Sequence, residues 1–145
     1  MKSLLVQNED ELASILQLLK ASKLPHEDIA LDACMLVAYR NDQGNLIGSA
    51  GLELYSESAL LRSVALEKNY QGRGLGKEIV QDVLQRAKGK SIRRIYLLTE
   101  TARDFFLAVG FRDISRDQVP PLVRSSSEFS SVCPVSAACL VYTID

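Results

Sequence analysis

The apolar residues of this chain change period in mid-sequence, and a glycine cluster stands at the change. Ala59-Leu60-Leu61-Arg62-Ser63-Val64-Ala65-Leu66 is a strand-like run. Leu75, Ile79, Val80, Val83, Leu84 and Ala87 then recur at the spacing of one helix face. Between the two lies Gln71-Gly72-Arg73-Gly74-Leu75-Gly76-Lys77. A turn does not need three alternating glycines. They let the main chain approach a ligand closely, while the helix behind them offers unpaired N–H groups and the positive end of its dipole. Such a segment is an anion cradle, with phosphate the usual anion. The plain alternative is a tight strand-to-helix turn that binds nothing.

The flanking segments complete an α/β pattern. Residues 3–7 read as an edge strand. Asn8 precedes Glu9-Asp10-Glu11, and Leu12, Ile15, Leu16 and Leu19 place an amphipathic helix over 9–21. Leu24-Pro25 breaks it, and Glu27 to Leu31 reads as a second short helical piece. Cys34–Tyr39, Leu46–Leu54 and the run from Ala59 form three strands joined by Asn41–Asn45 and Ser56–Ser58, hence an antiparallel meander. Ile95–Thr99 is a short buried strand, so the order strand–helix–strand implies a crossover and parallel pairing. Residues 101–109 form a helix stopped by Gly110, a strand starts at Phe111, and Cys139–Thr143 is the last one. Pro120-Pro121 marks a turn into a short helix, and Ser125 with Glu128 matches a capping box. The expected fold is α/β: one domain over residues 1–145, with a mixed sheet of about six or seven strands flanked by helices on both faces.

Composition narrows the function classes. A chain of 145 residues, 47% hydrophobic and 24% charged, buries one core without staples. Seventeen basic against eighteen acidic residues leave no excess to neutralise nucleic acid. Its longest apolar stretches are interrupted, by Asp32 and by Ser136, well short of the ~20 residues of a membrane span. Leu4-Leu5-Val6 is too short for an export signal. Cys34, Cys133 and Cys139 are odd in number and lack CxxC spacing, which suits free thiols in a reducing, cytoplasmic setting. His26 is the sole histidine, so neither a histidine-based zinc site nor a Ser-His-Asp triad is expected, and no metal is assigned.

Two phosphate motifs fail here. The dinucleotide fingerprint needs another residue before its third glycine, and the Walker pattern needs glycine at Gln71 and Ser or Thr at Glu78. Gln71-Gly72-Arg73-Gly74-Leu75-Gly76 instead fits [Q/R]-x-x-G-x-[G/A], which resembles the acetyl-CoA signature of the GCN5-related N-acetyltransferase (GNAT) superfamily. The strand Leu61–Leu66, the spacer Glu67–Tyr70 and Ala102…Phe105-Phe106…Gly110-Phe111 come in that family's order.

The resemblance implies an acetyl-CoA-dependent N-acetyltransferase acting on a small amine, in a fold that frequently dimerises. It places the pyrophosphate on the main-chain N–H groups from Gly72 through Arg73, Gly74, Leu75 and Gly76 to Lys77, beside Gln71, with charge from Arg73 and Lys77. The pantetheine arm runs along Val64, Ala65 and Leu66. A strand N–H at Ala65 or Leu66 becomes the oxyanion donor, and Glu53 the base, through a water. Phe106, next to Phe105, stands where many members have the tyrosine that protonates the departing thiolate. Thr99, Thr101 or a water is left for that task, and Thr99 also takes the place of an asparagine that contacts the cofactor. A catalytically weak CoA-binding sensor is the alternative this raises.

A narrower likeness involves Gly51-Leu52-Glu53, Leu97-Leu98-Thr99-Glu100-Thr101-Ala102 and Glu128-Phe129…Cys133-Pro134. These resemble a GNAT subgroup found with arsenic-resistance genes. Arg62 and Arg116, with Arg124, would select a carboxylate-bearing amine such as an amino acid or its analogue if they converge, and such an amine is the expected acceptor. Cys133, in a loop, is the candidate reactive thiol near the substrate. Cys34 and Cys139 read as buried strand residues, and an arsenite site built from the three cysteines is the weakest reading.

Overall fold

Local chemistry starts each element where the sequence marks it. In the computed structural model, which describes residues 1–132, 134 and 136–144, the Asn8 side chain accepts the Glu11 N–H at 2.9 Å and opens α1 (Glu9–Ala21). Strands β1 (Lys2–Leu5), β2 (Cys34–Arg40), β3 (Leu46–Tyr55) and β4 (Ser58–Leu66) form an antiparallel meander. Helix α2 (Leu75–Gly89) then crosses to β5 (Arg94–Thr99), which pairs parallel with β4. Helix α3 (Arg103–Val109) stops at Gly110, whose φ of +117° suits glycine. The remainder comprises β6 (Arg112–Asp113), α4 (Pro121–Arg124), a π-helical turn over Glu128–Val132 and β7 (Ala138–Thr143). Seven strands make one sheet in the order β1-β2-β3-β4-β5-β7-β6.

Alternation along β2 shows how the sheet divides its two faces. Val37 and Tyr39 join Ile79, Val80 and Val83 of α2 and Phe106 of α3 in one apolar cluster. Leu36 and Ala38 face the other way, against Ile15 and Leu19 of α1. On that second side Leu60, Tyr96 and Leu98 also carry α4 through Val123. Helices therefore cover both faces, as the pattern of apolar residues implies.

Two local expectations are corrected. Residues 27–31 form no helix; Leu24, Ile29 and Leu31 instead pack individually against the α1 cluster. Pro25 and the short run leave too few residues to nucleate a helix. Nor do Ser125 and Glu128 form a capping box. The Ser125 N–H closes α4 on Pro121 O at 3.0 Å, and its hydroxyl donates to Leu122 O at 2.6 Å. The Glu128 carboxylate is used elsewhere.

Candidate active site

The site begins where β4 leaves β5. The two strands pair only at Ser58–Leu60. Further along, Ala65 lies opposite Ser49 but Arg62 opposite Gly51, so β4 carries an extra residue across from β3. A bulge of this kind bends its strand. Ser63 sits in it at φ +59°, and the Ser49 hydroxyl donates to Ser63 O at 2.7 Å. The Glu67 N–H donates to Ile47 O at 2.7 Å, and Leu66 lies opposite Gly48. Antiparallel alternation then turns the Ala65 N–H toward β3 and the Leu66 N–H and C=O toward the open edge. The Leu66 carbonyl there accepts from Gln71 Nε2 at 3.0 Å. Of the two positions expected for an oxyanion donor, Leu66 therefore has the exposed amide.

The open edge leads into the glycine turn. Gly72 and Gly74 have φ of +81° and +80°, and a Cβ on either would meet nothing within 4 Å. Backbone conformation, not crowding, requires glycine at both. Gly74 caps α2 without any side-chain hydrogen bond, and Glu78 is the first residue whose N–H bonds back, to Gly74 O. The amides of Leu75, Gly76 and Lys77 thus have no partner inside the helix. A groove of about 570 Å³ runs from Val64–Leu66 past Gly72, Gly74 and Gly76 to Lys77, walled by Phe105 and Phe106. Arg73 lies over the Tyr70 ring at 5.3 Å and, like Leu75, is not part of the groove wall.

A second cavity of about 490 Å³ shares Val64–Leu66, Gln71, Thr101, Ala102 and Phe106 with the groove, so the two form one trough. Thr99 stands in its wall and accepts the Ala102 N–H on its hydroxyl at 3.0 Å, which fixes the entry to α3. Phe106 sits at the junction, 6% exposed, packed edge-on to Phe105 and Phe111. It has no proton to give. Thr101 borders both halves.

The far end of the trough is built around Arg62, which is 3% exposed. Asp28 binds its guanidinium through both oxygens at 2.5 and 2.6 Å, Glu53 Oε2 lies 2.8 Å from Nη1, and Glu128 Oε2 lies 3.3 Å from Nε. Tyr55 donates to the other Glu53 oxygen at 2.6 Å, and Ser127 donates to Asp28 at 2.6 Å. Its hydrogen bond to Arg62 holds the Asp28 carboxyl down at about 2. Burial works against the Arg62 charge, but Asp28, Glu128 and Glu53 together hold its pKa above the ordinary value.

Glu53 therefore stands behind Arg62 with both oxygens engaged and does not line the trough, whereas Arg62 and Glu128 do. Arg116 does not converge with Arg62. It donates to Pro134 O at 2.8 Å and Ala137 O at 3.3 Å and lies over Phe129. Arg124 is exposed on α4. Cys133 lies outside the described residues. Cys34, opposite Glu53 on β2, has its thiol pushed up to about 12 by burial, and burial raises Cys139 also. Among the described residues no group of three His, Cys, Asp or Glu side chains is arranged to hold a metal ion. Nor is any helix among them long and apolar enough to cross a membrane. Sequence reasoning missed Asp28 and Glu128 because they reach Arg62 from 34 and 66 positions away, a pairing with no local signature.

Residues 7–111 match the acetyltransferase (GNAT) family, and the chain belongs to it. The fold is shared with Rv2747 of Mycobacterium tuberculosis, solved in complex with CoA, at TM-score 0.78 and 23% identity over 98% of this chain and 99% of that one. It is shared equally with N-acetylglutamate synthase of Neisseria gonorrhoeae, complexed with coenzyme A and N-acetyl-glutamate: TM-score 0.78, 18% identity, 100% of this chain and 36% of that one. An amino-acid acetyltransferase of Neisseria meningitidis is 28% identical over 83 residues, 56% of this chain and 19% of that protein. The chain thus matches about a fifth of the length of that curated relative.

Proposed function

We propose that this chain transfers the acetyl group of acetyl-CoA to the primary amine of a small substrate, by direct attack in a ternary complex. The observation that carries the reading is the continuity of the trough, from the bared edge of β4 to the uncapped N-terminus of α2. The residues present fit the cofactor: two left-handed glycines leave room at the turn, and three helix amides lack partners there. Those amides, of Leu75, Gly76 and Lys77, together with the main-chain N–H groups of Gly72 to Gly74, would hold the pyrophosphate, and Val64–Leu66 the pantetheine arm. Bound acetyl-CoA supplies an acyl thioester.

The chain supplies orientation and charge. The Leu66 N–H, fixed by the strand, is preorganised for an oxyanion. Forming the N–C bond and breaking the C–S bond frees one proton from the nitrogen of the neutral amine, which passes to solvent water, and leaves a thiolate that takes one proton from solvent. A thiol with a pKa near the cysteine value of about 8.5 tolerates departure without a strong acid. We assign the Thr101 hydroxyl as hydrogen-bond donor to the departing sulfur and Thr99 as the residue that positions it. Glu53 acts through Arg62 rather than on the amine directly.

The relatives' names make an amino acid the first acceptor to test, and the segments around Gly51, Leu97 and Glu128 support membership in the subgroup found with arsenic-resistance genes. Calorimetry with CoA, followed by thiol release over a panel of amines, tests the reading. CoA binding with release for at least one amine is expected. Binding without release for any amine favours the sensor alternative, which the phenylalanine at position 106 motivates. Absence of CoA binding overturns both.

A further inference from the structure

The acceptor half of the trough is built around a cation that is already satisfied. Asp28 comes from the loop after α1, Glu53 from β3 and Glu128 from the π-helical turn, and all three carboxylates meet the one Arg62 guanidinium. Two negative charges are left in excess. Among the described residues the other charged groups bordering this half are Lys23 and Glu100, with Glu27 and His26 at its mouth. One lysine against two glutamates does not reverse the sign. Of the cluster, Glu128 borders the cavity itself, Asp28 borders its mouth, and Glu53 lies behind.

Resting on the acyl-transfer reading above, we propose that the acceptor is an amine with no carboxylate beside its nitrogen, such as an alkyl monoamine or diamine, and that Arg62 is a positioning residue that holds Glu128 toward it. A substrate carboxylate would have to displace a partner of Arg62 and leave that partner's charge buried and uncompensated. An ammonium adds positive charge beside three carboxylates that share one guanidinium, and Glu128, while keeping its contact with Arg62, borders the cavity that the amine would enter. Arg116 cannot substitute as a carboxylate clamp, because its guanidinium holds the carbonyls of Pro134 and Ala137.

The test uses the full chain with 1,4-diaminobutane, butylamine, glutamate and glutamine. Thiol release gives kcat and KM, and calorimetry in the presence of CoA gives affinity even where turnover is slow. The expected result is at least a tenfold preference for the two carboxylate-free amines. Glu128→Gln should raise their KM about tenfold while CoA affinity stays as in the parent, with a melting curve showing that the variant is folded. Arg62→Lys should raise KM less than Arg62→Gln does, since a lysine still pairs with Glu128. Preference for glutamate or glutamine, an unchanged KM in Glu128→Gln, or binding of no amine at all overturns the proposal. Loss of CoA binding in the parent would instead defeat the acyl-transfer reading, so the two failures are distinguishable.

Discussion

At the residue scale, Gly74 meets two demands at once. Its φ of +80° is one that L side chains rarely adopt, and the space beside it is open. Gly74→Glu should cost about 1–2 kcal/mol of stability through the backbone alone, which a domain of this size survives. It should also abolish CoA binding by placing a carboxylate at the phosphate position. Calorimetry with a melting curve as control checks both, and Gly74→Asn, which tolerates the conformation, should retain part of the affinity. Asp28 makes a different demand. Its folded pKa, about 2, lies below the ordinary 3.8, so the Arg62 pair stabilises the protein above about pH 4 and loses that contribution as pH falls through about 2. Asp28→Asn should cost about 1 kcal/mol at pH 7 after allowance for screening by solvent at the mouth. The gap in melting temperature between parent and variant should close between pH 4 and 2. Burial of Arg62 was legible in its apolar neighbours, but its pairing was not, since Asp28 and Glu128 are distant in sequence and look like ordinary surface charge, while Glu53 was expected to act as a base.

At the scale of elements, the bulge in β4 sets the trough, and Gly48 guards it. A Cβ on Gly48 would lie 2.7 Å from Ile79 Cδ1 and 2.9 Å from Ala65 O. The isoleucine tip has room to turn; the backbone oxygen does not. Gly48→Ala should therefore cost about 1–3 kcal/mol, read from the urea midpoint, and weaken CoA binding by shifting β4. In α3, Phe106→Tyr would place a phenol at the junction of the two halves, and kcat should rise most at pH values below the thiol pKa of about 8.5. Most elements were legible: Asn8, the heptad-like leucines of α1, the Asn41–Asn45 turn and the period change at the glycine cluster each act locally. The bulge was not, because Ser63 sits in a run that still reads as one strand, while its insertion shifts every later residue against β3. The Ser125–Glu128 spacing misled for the opposite reason: a local pattern yielded to a distant guanidinium.

For the whole molecule, membership of the acetyltransferase (GNAT) family and the seven-stranded sheet agree with what the motif order implied. In the proposed function one side of the trough offers uncharged main-chain donors to a diphosphate, and the other side gathers three carboxylates around Arg62. The two ends meet at Phe106 and Leu66, where acyl transfer would occur. A crystal structure of the chain with CoA tests this arrangement most directly. The account predicts pyrophosphate oxygens within hydrogen-bond reach of the main-chain N–H groups between Gly72 and Lys77, with the pantetheine arm against Val64–Leu66. Cofactor density anywhere else on the molecule would contradict it.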